Sequence, residues 1–330
     1  MTESGLSVEN LSFSYGNRFS LENINFFLPK SASLGIIGKS GSGKSSLLKL
    51  IYGLFEPSSG SIKWCGTAVP SPNDQLIPGA EFMRYVPQDF GLMPHKTLKE
   101  NLAEQISFLD EEREVKLQAK LHELYLKPIE DQKVKKLSGG EIQRAALAKS
   151  LLPPKEIALL DEAFGQLDLS LKSSIRRKYF KHINAHRITA IIATHDMEDV
   201  FGLCEYILVL SEGKQLQFGQ TEQVFENPQN IEVARLFAPA SLIEALHFTN
   251  AAKAQIIYPW EFVIAEQGLG VTITEKYLGT THYTYYAQYA KEKELCFYSR
   301  KELPINEKIY LKIKTPFRGE KGLQFNENFH

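Results

Sequence analysis

Three features are scarce in the 330-residue chain: cysteine, an excess of charge of either sign, and long hydrophobic runs. The three cysteines, Cys65, Cys204 and Cys296, lie far apart, which excludes a disulfide framework and a Cys-x-x-Cys metal site. Reduced thiols are therefore expected. The 38 Lys and Arg nearly balance the 39 Asp and Glu, so no global basic field exists to attract nucleic acid.

No hydrophobic run approaches the length of about 18 residues that a membrane-spanning helix needs. The longer runs, such as residues 207–210, have the length of a strand. The first residues, Met-Thr-Glu-Ser-Gly, do not show the basic region and apolar stretch of a signal peptide. We therefore expect a cytoplasmic protein that reaches a membrane only through a partner.

The composition, with 43% hydrophobic and 23% charged residues, predicts a globular protein with a real core. Alternation over residues 6–28 predicts short antiparallel strands, and 33–37 a buried strand before a helix from Ser45. Residues 95–150 are predicted to be mostly helical, with Thr97 and Glu100 as a capping box for a helix over 98–108 and Asp110 as the cap of the next. Apolar strands at 157–160 and 189–193, separated by a helix, indicate parallel βαβ units.

A second, smaller domain is predicted after residue 238. Eight of the 14 tyrosines follow residue 256, and alternating stretches such as 271–274 favour strands. About 80 residues suffice for one small barrel. The predicted domains are therefore 1–238 and 239–330.

Residues 38–45, Gly-Lys-Ser-Gly-Ser-Gly-Lys-Ser, match the pattern GxxxxGK[ST] between a predicted strand and a predicted helix. Glycines let backbone amides surround phosphate oxygens, Lys44 adds positive charge at the β- and γ-phosphates, and the Ser45 hydroxyl can ligate Mg²⁺. A Gly/Ser-rich turn without this function is the alternative, which the flanking elements disfavour. The predicted nucleotide-binding residues of the loop are Gly38, Lys39, Ser40, Gly41, Ser42, Gly43, Lys44, Ser45 and Ser46.

Asp161 and Glu162 follow the strand predicted at 157–160. Parallel strands deliver such carboxylates to the same sheet edge as the phosphate loop. We expect Asp161 to hold Mg²⁺ through water and Glu162 to take a proton from the attacking water. Alone, an Asp-Glu pair after a strand more often begins a helix; together with Lys44 it indicates hydrolysis.

Five further motifs occur in a distinctive order. Leu-Ser-Gly-Gly-Glu at 137–141, Val-Pro-Gln at 86–88, Gly-Gln-Leu-Asp at 165–168 and Thr-His-Asp at 194–196 resemble the signature loop, Q-loop, D-loop and H-loop of ATP-binding cassette (ABC) proteins. Tyr15 stands where that family has its adenine-stacking aromatic. The resemblance covers about residues 5–235.

The resemblance implies an α/β fold: a P-loop NTPase cassette with a RecA-like core, an antiparallel β subdomain and a helical subdomain. It also implies ATP and Mg²⁺ as cofactors and head-to-tail pairing of two cassettes. The signature residues Ser138, Gly139, Gly140 and Glu141 would then cap the γ-phosphate held by the other copy, and Asp168 would cross the interface. His195 would contact the γ-phosphate and orient Glu162, while Gln88 would reach the Mg²⁺ site.

Each of three residues could instead have a purely structural role: His195 as a structural histidine, Gln88 as a loop residue and Tyr15 as an aromatic residue of a strand. The sequence also departs from the family pattern. Glu141 stands where glutamine is commonest, and Gly165-Gln166 replaces a frequent Ser-Ala. Because every residue for hydrolysis is present, the resemblance implies an active ATPase.

Residues 84–97 resemble ATPases of bacterial importers for ferric iron, polyamines, sulfate or sugars. Residues 257–262 loosely resemble the start of the importers' small OB-like (TOBE) regulatory domain, although Tyr258 replaces an arginine and Trp260 is inserted. The resemblance implies a homodimer, peripheral on the inner face of the cell membrane, working with two integral-membrane permease subunits and a solute-binding protein. No nucleic-acid partner is expected.

Two alternatives remain open. A soluble cassette ATPase could act on nucleic acid or ribosomes, and aromatic strands in OB-like barrels sometimes bind single strands. Such ATPases usually carry two cassettes or long coiled-coil insertions, which this chain lacks. The last 80 or so residues could also form a ligand-sensing module that regulates uptake, which is compatible with import.

Overall fold

A computed structural model of the chain describes residues 4–16, 20–75, 77–244, 254–290 and 293–314. It divides into two compact units, Met1–Thr221 and Glu222–His330. The division falls after the first residue of α7, which spans Thr221–Glu226, and before α8, which spans Ile231–Phe237. The boundary predicted at 238/239 lies after these helices and stays a prediction.

The first unit contains a ten-stranded mixed sheet in the order β5-β4-β1-β2-β10-β9-β3-β8-β7-β6. Its strands are β1 (Gly5–Ser14), β2 (Ser20–Pro29), β3 (Ser33–Ile37), β4 (Ser59–Trp64), β5 (Thr67–Ala68), β6 (Met83–Val86), β7 (Ile157–Asp161), β8 (Thr189–Ala193), β9 (Tyr206–Ser211) and β10 (Lys214–Gln220). Strands β9, β3, β8, β7 and β6 run parallel, whereas β1, β2, β4 and β5 pair antiparallel. The predicted antiparallel strands and βαβ units are confirmed, and β9 and β10 form an antiparallel hairpin.

Six helices belong to the described part of this unit: α1 (Lys44–Tyr52), α2 (Leu98–Ala103), α3 (Arg113–Glu123), α4 (Gly139–Ser150), α5 (Leu169–Ala185) and α6 (Met197–Leu203). The capping box of Thr97 and Glu100 is present. The prediction that α2 extends to residue 108 is wrong, and so is Asp110 as a cap, because Glu112 occupies that position of α3. Within the described ranges, no helix is both long and apolar enough to cross a membrane.

The core explains where the polar residues of the site emerge. Strands β3, β7 and β8 are buried along their whole length, as expected for parallel strands covered on both faces. Their carboxyl ends therefore lie next to one another at one edge of the sheet. The phosphate loop follows β3, Glu162 follows β7, and His195 lies just beyond β8, so all three reach this edge.

The second unit is rich in antiparallel β-structure, as predicted. Strands β11 (Ser241–Ile243) and β12 (Gln255–Ile257) pair with each other. Strands β13 (Phe262–Ala265), β14 (Leu269–Leu278), β15 (Tyr283–Ala290), β16 (Lys293–Ser299) and β17 (Lys308–Ile313) form a sheet in the order β13-β17-β14-β15-β16. Ile273, Tyr285 and Phe297 are fully buried in its core. The predicted fold class, an α/β cassette followed by a small β-domain, is confirmed.

Candidate active site

The phosphate loop depends on glycines with positive φ. Gly38, Gly41 and Gly43 have φ values of 155°, 80° and 107°, in the region that side chains rarely adopt. A Cβ on Gly38 would lie 2.1 Å from the carbonyl oxygen of Leu210, so the β9–β10 hairpin also excludes a larger residue. Helix α1 begins directly after the loop at Lys44. Its first backbone amides have no acceptor within the helix and are available to an anion.

Lys44 folds back over this loop. Its Nζ donates hydrogen bonds to the carbonyl oxygens of Gly38 at 2.9 Å and Lys39 at 3.1 Å. The residue is 7% exposed, and burial lowers the pKa of its ammonium group, although the carboxylates of Glu162 and Asp161 oppose the shift. The loop thus holds one buried cation against its own carbonyl oxygens, and a buried ammonium group at a helix N-terminus is suited to phosphate.

The carboxylate of Asp161 is held by two hydroxyl groups. Ser45 Oγ donates to Oδ1 at 2.8 Å, and Tyr85 Oη donates to Oδ2 at 3.1 Å. Asp161 is 2% exposed, and burial raises the pKa of its carboxyl group, against the effect of these two hydrogen bonds. Burial likewise raises the pKa of Tyr85. Sequence reasoning missed Tyr85, which reaches Asp161 from the neighbouring strand β6.

The donor set at Asp161 fits Mg²⁺. The Ser45 hydroxyl and the Asp161 carboxylate are in direct contact, and both offer the hard oxygen atoms that this ion prefers. Gln88, also predicted at the ion, instead donates its amide to Glu162. Of the three predicted ligands, Ser45 and Asp161 are therefore the two that the structure brings into contact.

Glu162 is the point at which the three predicted catalytic residues meet. Its Oε2 accepts a hydrogen bond from Gln88 Nε2 at 3.4 Å, and its Oε1 lies 3.5 Å from Nδ1 of His195. Glu162 itself has a φ of 51°, an uncommon conformation for a residue with a side chain. Its amide donates to the carbonyl oxygen of Ala193 at 2.9 Å, which ties the turn after β7 to the end of β8.

A buried ionic cluster supports the loop that carries His195. Arg176 on α5, 5% exposed, lies 2.5 Å from Oδ2 of Asp196 and 2.5 Å from Oδ1 of Asp199. Thr194 Oγ1 donates to Asp199 Oδ2 at 2.7 Å and accepts from the Asp196 amide at 3.0 Å. The residues on both sides of His195 are thereby fixed to α5. No sequence motif indicated Arg176.

The signature loop begins α4 with a complete capping box. The Glu141 carboxylate accepts from the Ser138 amide at 2.8 Å and from Ser138 Oγ at 2.9 Å, while Ser138 Oγ accepts from the Glu141 amide at 3.4 Å. The unusual Glu141 therefore acts as an N-terminal acceptor, where a negative charge is favourable. A Cβ on Gly139 would lie 2.7 Å from Oε1 of Gln166, so the D-loop packs directly on the signature loop.

Two predicted regions remain apart from the phosphate loop in this chain. Among the hydrogen bonds and ion pairs of the described residues, none connects Ser138–Glu141 or Asp168 with Lys44.

Tyr15 is 53% exposed, and its ring packs edge-on against Phe13 and Phe55 with centroids 5.1 and 5.2 Å away. One ring face can thus receive a planar ligand.

Gln143 is a further residue that sequence reasoning did not assign. It lies two positions after the signature motif and is buried beneath it. Its Nε2 donates to the carbonyl oxygen of Glu162 at 3.2 Å, and its Oε1 accepts from the amide of Gln166 at 2.9 Å. The only signal in the sequence is its place in Glu-Ile-Gln-Arg, which does not reveal either partner.

Comparisons with known proteins agree with this geometry. Residues 21–165 match the family described as ABC transporter. The chain is 34% identical to the molybdate/tungstate import ATP-binding protein WtpC of Pyrococcus abyssi, covering 76% of this chain and 72% of that protein. It is 31% identical to the Fe(3+) ions import ATP-binding protein FbpC of Escherichia coli O157:H7, covering 73% and 69%. The sulfate/thiosulfate import ATP-binding protein CysA of Synechococcus elongatus is 29% identical over 78% of this chain and 75% of its own length.

A solved structure has the same fold. It is cbiO1 from Clostridium perfringens, described as part of the ABC transporter complex cbiONQ, with a TM-score of 0.58 and 24% identity. The match covers 71% of this chain and 94% of cbiO1. At this identity the likeness concerns the fold alone.

Proposed function

Since the chain belongs to the ABC transporter family, we propose that it hydrolyses ATP as a head-to-tail homodimer and thereby drives two separate membrane permease subunits that import a solute. The observation that carries this proposal is the meeting of Gln88 and His195 at the Glu162 carboxylate, one residue beyond the Asp161–Ser45 contact. At one edge of the sheet, the phosphate loop that contains Ser45 would bind the phosphates, and Glu162 would serve as the base that takes a proton from water.

In the proposed reaction, the oxygen of a water molecule attacks the γ-phosphorus while the bond to the β-phosphate oxygen breaks and ADP leaves. Glu162 accepts a proton from that water, and His195 and Gln88 hold the Glu162 carboxylate in position. Lys44 and the loop amides bind the phosphates. Ser45 and Asp161 would hold Mg²⁺, which when bound neutralises charge on the phosphate oxygens.

Pairing of two copies completes the site in this proposal. The N-terminus of α4 has the Gly139 and Gly140 amides as donors for an anion, and the Ser138 hydroxyl, which donates to Glu141 within one chain, would have to turn from Glu141 to the anion. These donors have no bond to Lys44 within one described chain, which supports their use on the ATP of a second copy. Asp168, at the start of α5, would face that interface.

Tyr15 is proposed to stack on the adenine ring. We expect Tyr15→Ala to weaken ATP binding about fivefold to a hundredfold, because base–aromatic stacking contributes about 1–3 kcal/mol. Tyr15→Trp should keep ATP affinity within about threefold, since an indole provides a similar face. Fluorescence titration with an ATP analogue measures both. Equal affinity of Tyr15→Ala and the parent protein would exclude the stacking role.

The proposed setting is the inner face of the cell membrane, reached through the permeases. The stretch after Gln88, residues 89–97, is proposed to lie beneath a coupling helix of a permease subunit, and a solute-binding protein would act from the other side. We propose that the small β-domain at 239–330 regulates this process. Its nearly neutral composition disfavours a role in nucleic-acid binding.

Co-purification tests import against the nucleic-acid alternative. We expect the tagged chain, solubilised from its native membranes in mild detergent, to retain two integral-membrane proteins in stoichiometric amounts. Nuclease treatment should leave this complex intact. Recovery of ribosomal RNA without membrane proteins would instead support the soluble ATPase. The tagged variant Lys181→Gln, changed at an exposed position of α5, serves as the control. It should retain the same membrane proteins as the parent chain.

A further inference from the structure

We infer that Gln143 is a positioning residue that links the signature loop to the Glu162 of its own chain. The inference rests on the proposed role of Glu162 as the base, and it adds a path by which one ATP site responds to the other. In this path, contact of the signature loop with ATP on the second copy changes the position of the base. No motif in the sequence assigns Gln143 this role.

The two hydrogen bonds of Gln143 use both halves of its amide. Nε2 donates to the Glu162 carbonyl oxygen at 3.2 Å and Oε1 accepts from the Gln166 amide at 2.9 Å. A flipped amide would place donor against donor and acceptor against acceptor, so the orientation is determined by its partners. The side chain is 1% exposed, and water therefore cannot replace either bond without a rearrangement.

Glu162 needs such support because its backbone is in the left-handed region at φ 51°, a conformation that the surroundings must stabilise. The Ala193 carbonyl oxygen accepts from the amide of Glu162, and the Glu162 carbonyl oxygen accepts from Gln143 Nε2 and from the Gly165 amide, each at 3.2 Å. The peptide units before and after the Glu162 Cα are thus both held, and among the described residues the only side chain that holds the second one is supplied by the helix of the signature loop.

The signature end of this path is equally direct. Gln143 follows the capping box of Ser138 and Glu141 by two residues on the same helix α4. A displacement of the signature loop therefore moves the first turns of α4 together with the amide of Gln143. The amide of Gln166 donates to Gln143, and the side chain of Gln166 lies beside Gly139. The signature loop, the D-loop and the base consequently share one buried side chain.

Gln143→Leu removes both hydrogen bonds at similar volume. We expect kcat for ATP to fall at least about tenfold, the effect of one typical lost hydrogen bond on a rate. The Kd for ATP should stay within about twofold, because the phosphate loop is untouched, and the Hill coefficient should fall below that of the parent toward 1, the value for independent sites. Steady-state kinetics of the full chain and binding of a non-hydrolysable ATP analogue give these values.

Gln143→Glu separates the two bonds and also covers the case in which the leucine variant does not fold. The introduced carboxylate can accept from the Gln166 amide but repels the Glu162 carbonyl oxygen when ionised. We expect low kcat at neutral pH that recovers toward the parent as pH falls and the introduced group is protonated. Activity is compared as a ratio to the parent at each pH, which cancels the titration shared by both proteins.

Ser150→Ala is the matched control on the same helix. Ser150 is also buried, and its Oγ donates to the Leu147 carbonyl oxygen at 2.7 Å, far along α4 from Glu162. This variant should lose stability but keep the kcat and the Hill coefficient. The inference is overturned if Gln143→Leu keeps both values, if Ser150→Ala changes them equally, or if Gln143→Glu shows no recovery in acid. A normal rate in Glu162→Gln would overturn the proposed base instead.

Discussion

Replacing Glu162 by glutamine should lower the rate of ATP hydrolysis by about a hundredfold to ten-thousandfold, the usual contribution of a positioned general base. Glutamine keeps the shape of the side chain and can still meet Gln88 and His195, but it cannot accept the proton from water. ATP binding should remain because Lys44 and the loop amides are unchanged. The ATP-bound dimer should therefore accumulate, as measured by size-exclusion chromatography with light scattering.

The control for this experiment is Glu56→Gln, the same chemical change at an exposed position outside the site. It should keep the parental rate and the parental mixture of monomer and dimer in ATP. If Glu162→Gln also hydrolyses ATP at the parental rate, Glu162 is not the base, and another group must take the proton.

Replacing Arg176 by methionine should have the largest effect on stability. Methionine fills similar space but leaves Asp196 and Asp199 without the buried cation between them. Removal of one partner from a buried ion pair costs about 3–5 kcal/mol in the free energy of unfolding. Urea denaturation monitored by circular dichroism measures this loss. Arg177→Met, at the exposed neighbouring position of α5, should change stability by less than about 0.5 kcal/mol.

The loss caused by Arg176→Met should become smaller in acid. Burial raises the pKa of Asp199, with Thr194 and Arg176 opposing the shift, and protonation relieves the uncompensated charge left without Arg176. Burial also raises the pKa of Asp196, but hydrogen bonds from Lys172, the Glu198 amide and Arg176 outweigh it and hold the value at about 2. A depressed carboxyl pKa stabilises the fold above the unfolded value of 3.8, and this contribution is lost as pH falls toward about 2.

The pKa shifts of Asp199 and Asp196 therefore predict the same change: the stability loss caused by Arg176→Met decreases in acid. As pH falls from neutrality through the usual carboxyl range, the parent protein loses part of the advantage given by Arg176, and the variant gains from protonation of Asp199. The difference in unfolding free energy between the two proteins should shrink. A difference that is constant or grows in acid would show that packing, not charge compensation, accounts for the effect of Arg176.

The parts of the fold that could be predicted are those whose signal is local. The phosphate loop needs glycines in sequence, and the buried strands β3, β7 and β8 appear as continuous apolar runs. The end of α2 was not predictable in this way. The helix ends at Ala103, whose carbonyl oxygen accepts from Arg113 Nη2 at 2.9 Å, and Phe108 lies under that guanidinium at 4.1 Å. A contact with the next helix, not a capping residue, sets this boundary.

The residues that support the site could not be predicted because they also depend on contacts between parts of the chain that are distant in sequence. Glu162 and His195 stand in short motifs, whereas Arg176, Tyr85 and Gln143 act through partners distant in sequence. Arg176 and Gln143 lie in helical segments that read as ordinary amphipathic sequence, and their hydrogen bonds exist only after β6, β7 and α5 have packed together. Sequence patterns thus indicated the reacting groups, and only the folded chain revealed what holds them.

The mixed sheet has one narrow junction with a thermodynamic consequence. Strands β2 and β10 share a single register pair, Lys214 with Glu22, between the antiparallel strands and the rest of the sheet. Few backbone hydrogen bonds connect the two parts there, so their association depends on the apolar core that β1 and β2 share with α1 and the parallel strands. Tyr15 lies on one side of this junction and the phosphate loop on the other. ATP bound as proposed would contact both parts and stabilise their association by mass action, so the nucleotide would act as a non-covalent cross-link within the sheet.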